Sequence, residues 1–164
     1  MIKKLVLACL IALPAMAFAQ KFGYVDTQNL LANLPAMKEV QTQLEATTAK
    51  YEAEFNNLRT ELEKKYSEFQ QMEESTPQAI KERRVQEINE LEQKAQQFRT
   101  TAAQDIQAQQ EKLMAPIQQQ VMTAIQSVGS EGGYTFIFEG GQMLYTGADV
   151  VDVTNAVKTK LGIK

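Results

Sequence analysis

Hydrophobic positions in the middle of the chain recur at alternating steps of three and four. Leu44, Tyr51, Leu58 and Lys65 stand seven apart, and Thr48, Phe55, Leu62 and Phe69 repeat the spacing with an offset of four. Together they make one helical seam with a polar break at Lys65, the pattern of a coiled-coil helix. No glycine interrupts residues 36–127. The seam stops near Met72, where Glu73-Glu74-Ser75-Thr76-Pro77 intervenes. Thr76 is suited to cap a new helix and Pro77 to open it, since the N–H that proline lacks has no helical partner in the first turn. A second seam runs through Ile80, Arg84, Ile88, Leu91, Ala95, Phe98, Ala102, Ile106, Gln109 and Leu113. Two long helices joined by a few residues must lie antiparallel. The pattern predicts a helical-hairpin arm over 36–114, with its tip near 73–79. Ile117, Val121, Ile125 and Val128 carry the returning seam past Pro116, so a kink or hinge is expected there. Gly129 and the pair Gly132-Gly133 are expected to end the helix.

The flanks read differently. Phe22 to Thr27 alternates as a strand, with Phe22, Tyr24 and Asp26 on one face and Gly23, Val25 and Thr27 on the other. Asp26 or Thr27 can cap a short helix through Leu30, Leu31 and Leu34, and Pro35 suits the first turn of the arm. Tyr134 to Glu139 reads as a strand with apolar residues on both faces, hence buried. Gly140-Gly141 signals a two-residue hairpin, and Gln142 to Tyr145 its return strand. Val150 and Val151 either extend the sheet or begin the next helix. Asp152 can cap a closing helix with Val153, Val157 and Leu161 on one face and Gly162 beyond its end. The expected fold class is α+β, mostly helical: a long antiparallel coiled-coil hairpin projecting from a small β-sheet body built from residues 20–35 and 115–164.

Such a body has only about 65 residues, which is marginal for a domain standing alone without disulfide or metal. It also offers open sheet edges that must be covered. Self-assembly is the economical solution, with Tyr24, Val25, Tyr134, Phe136, Ile137 and Phe138 as the expected oligomerisation residues.

Composition changes this picture in three ways. First, residues 1–19 do not read as part of the fold. Lys3-Lys4, an apolar run from Leu5 to Leu13 broken by Pro14, and Ala17-Phe18-Ala19 make a secretory signal with a cleavage site after about Ala19. The run is shorter than the roughly 20 residues a membrane span needs. Cys9 lies in the middle of that run, so a lipid-modified cysteine is not expected. Second, the remaining chain has no cysteine or histidine. That excludes Cys–His and Ser–His–Asp chemistry and an ordinary zinc site, so no catalytic, cofactor or metal residues are assigned. The glycines at 129, 132, 133, 140 and 141 read as turn residues, because no phosphate-cradling loop leads from them into a helix. Third, leaving out Lys3 and Lys4 from the 17 basic residues gives 15 basic against 20 acidic. An acidic balance argues against nucleic acid as a ligand.

Glu61 with Lys65 and Glu90 with Lys94 are expected as i,i+4 pairs of about 0.2–0.5 kcal/mol each. Lys81, Arg83 and Arg84, near the tip, read as an ordinary solvated surface interleaved with Glu82 and Glu87. The arm aromatics Tyr51, Phe55, Tyr66, Phe69 and Phe98 read chiefly as seam packing. Some could face outward and offer weak apolar contacts to a bound chain. Tyr66 is the best placed for this, one position off the seam, and Tyr66, Phe69 and Phe98 are the candidate client-binding residues.

With these elements in order the chain resembles the Skp (OmpH) family of periplasmic chaperones. The resemblance rests on Gly23-Tyr24-Val25-Asp26, on Leu34-Pro35 entering the arm, and on Pro116-Ile117 with Ala124-Ile125 leaving it. Gly133-Tyr134 through Phe138 and Asp152-Val153-Thr154 with Val157 complete it. It covers the whole chain after residue 19, although the arms match only as coiled coils do. It implies a periplasmic homotrimer whose three arms surround a cavity. It also implies binding of unfolded outer-membrane β-barrel proteins without nucleotide hydrolysis, an ATP-independent holdase. Family members are basic on their arms, whereas residues 36–114 here carry 15 acidic and 11 basic side chains. No lipopolysaccharide or anionic-membrane contact is therefore carried over. The competing reading is a coiled-coil spacer or adaptor that binds one defined envelope partner.

Overall fold

The computed structural model describes residues 20–163, so the expected signal segment lies outside the described residues. Strand β1 spans Phe22–Val25 and helix α1 Thr27–Asn33. The Asp26 carboxylate caps α1, accepting from the Asn29 N–H at 2.8 Å. Leu34 stays extended, at φ −76° and ψ 122°, as a residue before proline prefers. Pro35 then opens α2 (Pro35–Gln70), and α3 (Gln78–Gly132) returns antiparallel beside it. With 36 and 55 residues, the two helices rise about 54 and 82 Å.

The seams close where the periodicity places them. Leu58, Ile88, Leu91 and Ala102 are buried between the helices, and Leu44, Thr48, Tyr51, Phe55, Leu62, Phe69, Ala95, Phe98 and Ile106 are half-buried. Ile80 departs from this at 43% exposure, because it stands in the first turn of α3, beyond the end of α2. The tip also differs by one residue. Pro77, not Thr76, is the cap, and its carbonyl accepts from Ile80 and Lys81. Thr76 instead closes a turn onto the Glu73 carbonyl at 3.0 Å.

Helix α3 runs without interruption through Pro116 and Gly129 to Gly132. Gly129 therefore does not end it. Gly133 does, at φ 66°, where its N–H and that of Tyr134 fold back onto the last turn. This left-handed residue is one that glycine adopts without steric cost.

Strand β2 (Phe136–Glu139) pairs parallel with one edge of β1, and β3 (Val150–Asp152) pairs parallel with the other, giving the order β2-β1-β3. The expected hairpin does not form. Gly140–Gln142 make a 3-10 turn, with the Met143 N–H on the Gly140 carbonyl, and Gln142–Tyr145 is not a strand. The deciding contact is nonlocal. The free edge of β1 takes up Val150 and Val151, whose branched side chains suit a strand, and Val153 N–H extends that ladder to the Tyr24 carbonyl. Val150 and Val151 thus extend the sheet. Helix α4 (Thr154–Leu161) follows, and the Asp152 carboxylate accepts from the Thr154 N–H at 2.8 Å.

The core lies where α1, α4 and the body end of α3 meet the inner face of β1. Leu30 and Val157 are fully enclosed, and Val25, Val153, Ile117, Val121, Ala124 and Val128 surround them. Thr154, the one buried polar residue among the described residues, accepts from the Asp26 N–H at 3.0 Å and ties α4 to the start of α1.

Candidate functional site: the arm faces and the open sheet

The arm presents charge, aromatic rings and shallow apolar grooves. At the seam break, Lys65 does not pair with Glu61. Its ammonium crosses the hairpin to the Glu87 carboxylate at 2.9 Å, and Arg84 reaches the same oxygen at 2.7 Å. Arg83 takes the other carboxylate oxygen at 3.2 Å. Hydrogen bonds from Lys65 and Arg84 hold the Glu87 pKa at about 2, against 4.5 for a free glutamate. Lys81 donates to the Glu74 carbonyl at 3.0 Å and braces the tip. The basic group is thus committed to its own arm. Glu90 and Lys94 form no ion pair either; among the described residues the arm's other pairs are Arg59–Glu63 and Lys64–Glu68.

The three arm aromatics singled out from sequence differ in setting. Tyr66 is 39% exposed, and its hydroxyl donates to Glu92 on the opposite helix at 2.6 Å. That bond raises its pKa, since ionising the phenol would place two anions together. Phe69 is half-buried near the tip. Phe98 is half-buried further down, its ring 5.8 Å from that of Tyr51 and inclined by 60°. The Tyr51 hydroxyl in turn donates to Asp105 at 2.6 Å. Tyr66 and Phe98 therefore stitch the hairpin together while leaving part of each ring outward.

Sequence reasoning did not find the grooves beside these rings. One, of about 560 Å³, runs along Thr48, Tyr51, Phe55, Phe98, Ala102 and Ile106, with the Arg99 guanidinium 5.5 Å from the Phe55 ring centre. A second, of about 520 Å³, lies at the foot of the arm between Leu31, Leu34, Met37, Val40, Leu44 and Met114. Small residues at seam positions, Thr48 and Ala102, were the available signal for the first.

The body contributes an open aromatic face. The expected burial of both faces of Tyr134 to Glu139 is not met within one chain. Phe136 and Phe138 are 55% and 46% exposed, and they stack with Phe22 at centroid distances of 6.2 and 6.4 Å. Tyr24 lies on that same face, opposite Phe138. Val25 and Ile137 point inward to the core. Tyr134 precedes the strand, and its ring is held in a clasp. A Cβ on Gly23 would come within 3.1 Å of it and one on Gly132 within 2.4 Å, and Lys21 Nζ sits 4.1 Å from its centre. The six residues expected to mediate assembly are thus divided: Phe136, Phe138 and Tyr24 face outward, while Val25, Ile137 and Tyr134 hold the sheet to the helices.

No group of three or more metal-ligating side chains occurs among the described residues, and no helix there is long and apolar enough to cross a membrane.

The model of a family described as outer membrane protein (OmpH-like) matches residues 21–161. No curated protein matches the chain. A crystal structure from Caulobacter crescentus CB15, of a candidate outer membrane chaperone (OmpH-like), superposes with a TM-score of 0.74. It is 16% identical, over 87% of this chain and 83% of that one.

Proposed function

Because this chain belongs to the OmpH-like outer membrane protein family, we propose that it is a periplasmic, ATP-independent holdase chaperone. In this reading residues 1–19 are a signal peptide removed on export. Residues 20–35 and 115–164 form an assembly body, and the arm over 36–114 projects from it. Three copies join through their bodies, and the arms enclose an unfolded outer-membrane β-barrel protein and keep it from aggregating. The protein carries out no reaction.

The observation that supports this most is the division of labour between the two parts of the chain. The arm is a hairpin with rings half-turned outward and open grooves, able to make many weak contacts of no fixed sequence. The body leaves a stacked aromatic face uncovered, which calls for a partner. Unfolded barrel proteins are rich in aromatic and alternating apolar residues, so they offer what such rings and grooves bind. Tyr66, Phe69 and Phe98 are the proposed contact residues, and Pro116 is the proposed hinge. Release follows when the client folds into the membrane and withdraws those side chains.

The test is client aggregation. Light scattering of a diluted, unfolded barrel protein should fall to baseline at one trimer per client, with no nucleotide present. Scattering that is unchanged at that ratio removes the proposal. Tight binding to one folded envelope component without any such protection would select the spacer or adaptor reading instead.

A further inference from the structure

Residues 20–164 include five methionines, and two of them meet at one place. Met37 and Met114 both line the groove of about 520 Å³ at the foot of the arm. Met37 stands in the first turn of α2, its N–H on the Leu34 carbonyl at 3.0 Å. Met114 stands in α3, two residues before Pro116. Both are half-buried and pack against the buried core of the body. The groove is walled by residues of α1, α2 and α3 and by none of the sheet, so it lies apart from the open aromatic face. Met114 also borders a second groove, of about 530 Å³, with Gln107, Gln110 and Gln118. It is thus open to solvent on two sides.

The backbone gives the arm little support at this level. Pro116 has no N–H to offer the Lys112 carbonyl one turn back. The first turn of α2 likewise lacks a full set of helical hydrogen bonds. Side-chain packing therefore fastens the arm to the body here, and Met37, Val40, Leu44, Leu113 and Met114 supply it. An unbranched thioether fills such an irregular space well, provided that it stays apolar.

We infer that Met37 and Met114 form a site of reversible oxidation, and that their oxidation loosens the foot of the arm from the body. The oxidant is a hydroperoxide, with hydrogen peroxide the simplest. The thioether sulfur attacks one peroxide oxygen, and the S–O bond forms as the O–O bond breaks. The proton on the transferred oxygen passes to the departing hydroxide, which leaves as water. Sulfur gives up two electrons and the peroxide takes them. The product sulfoxide is polar and chiral. Its oxygen is costly to keep against apolar neighbours without a hydrogen bond. The Lys38 ammonium and the Gln41 and Gln110 amides line the same groove and can donate to it. The oxidised side chains are therefore drawn from the core toward the groove, and the packing that fastens the arm is lost. The site does not depend on the holdase reading.

The experiment exposes the mature protein and the double variant Met37→Leu, Met114→Leu to hydrogen peroxide. Peptide mass mapping reads the oxygen gained at each methionine, and amide hydrogen exchange reads the foot of the arm. Met72, Met122 and Met143 remain in both proteins, so the variant controls for their oxidation. Leucine keeps the volume and the apolar character of methionine, and circular dichroism should show the same helicity. Met37 and Met114 should each gain one oxygen atom at a rate within about tenfold of a blocked methionine in the same solution. The amides between Gln110 and Gln118 in the oxidised wild type should then exchange at least about tenfold faster, and those of the treated variant should change by less than about twofold. Treating the oxidised wild type with both methionine sulfoxide reductases, one for each epimer, should restore slow exchange. That reversal needs no variant, so it decides the matter even if the double variant folds poorly. Slower oxidation of either methionine, unchanged exchange after oxidation, an equal change in a folded variant, or exchange that stays fast after reduction overturns the proposal.

Discussion

The Lys65 ammonium reaches across the hairpin to the Glu87 carboxylate, 2.9 Å away, at the one place where the first helix breaks its apolar seam. Arg84 approaches the same carboxylate from within the second seam. The break is therefore matched: a cation on each helix shares one anion.

This cluster makes arm stability depend on acidity. Glu87 has its pKa lowered to about 2 by the hydrogen bonds from Lys65 and Arg84. A carboxylate with a depressed pKa contributes stability that is complete above its unfolded value and is lost as pH falls through its folded one. The melting temperature of the arm should thus hold steady from neutrality to about pH 4.5, and the Glu87 contribution should then decline toward pH 2. In Glu87→Gln that part of the acid decline should vanish, and the neutral-pH melting temperature should be lower, since Lys65 and Arg84 lose their partner. Thermal melts of both proteins across this range check it.

Leu30 and Ile80 should respond very differently to truncation. Leu30 is fully enclosed in the core of the body, and Ile80 is 43% exposed. Leu30→Ala leaves a cavity and should cost about 2–5 kcal/mol, whereas Ile80→Ala should stay within about 0.5 kcal/mol. Urea denaturation at fixed protein concentration measures both.

The seams were legible because burial at three- and four-residue spacing is a local property of the chain, and Leu58, Ile88, Leu91 and Ala102 followed it. The α1 cap at Asp26 and the Leu34-Pro35 entry were legible for the same reason. The sheet was not. Gly140-Gly141 carries a genuine hairpin signal, but whether Gln142–Tyr145 or Val150–Asp152 joins β1 depends on an edge made by residues more than a hundred positions earlier. The partner of Lys65 was missed likewise. Glu61 is near in sequence, and Glu87 becomes near only once the register of the hairpin is set. Of the candidate contact residues, the sequence distinguished Tyr66 as lying off the seam, but not its bond to Glu92.

The ring pair in the arm should couple energetically. Tyr51 and Phe98 meet at 5.8 Å in a tilted arrangement. A double-mutant cycle with Tyr51→Leu and Phe98→Leu should return about 0.5–1.5 kcal/mol of coupling. Additive losses would mean that the rings merely fill space independently.

Tyr134 should tolerate no crowding from Gly132. A methyl group there would meet the ring at 2.4 Å, and Gly23 blocks retreat on its other side. Gly132→Ala should lower the melting temperature of the body despite alanine's better helix propensity. Gly132→Ala combined with Tyr134→Leu should recover part of the loss.

The central claim is that several copies join through their bodies and hold one unfolded barrel protein between their arms. Native mass spectrometry of the mature protein, alone and with an equimolar amount of unfolded barrel protein per assembly, tests it most directly. The account predicts three chains alone and three chains with one client after mixing. A single chain, or a trimer that never appears with a client bound, would contradict it.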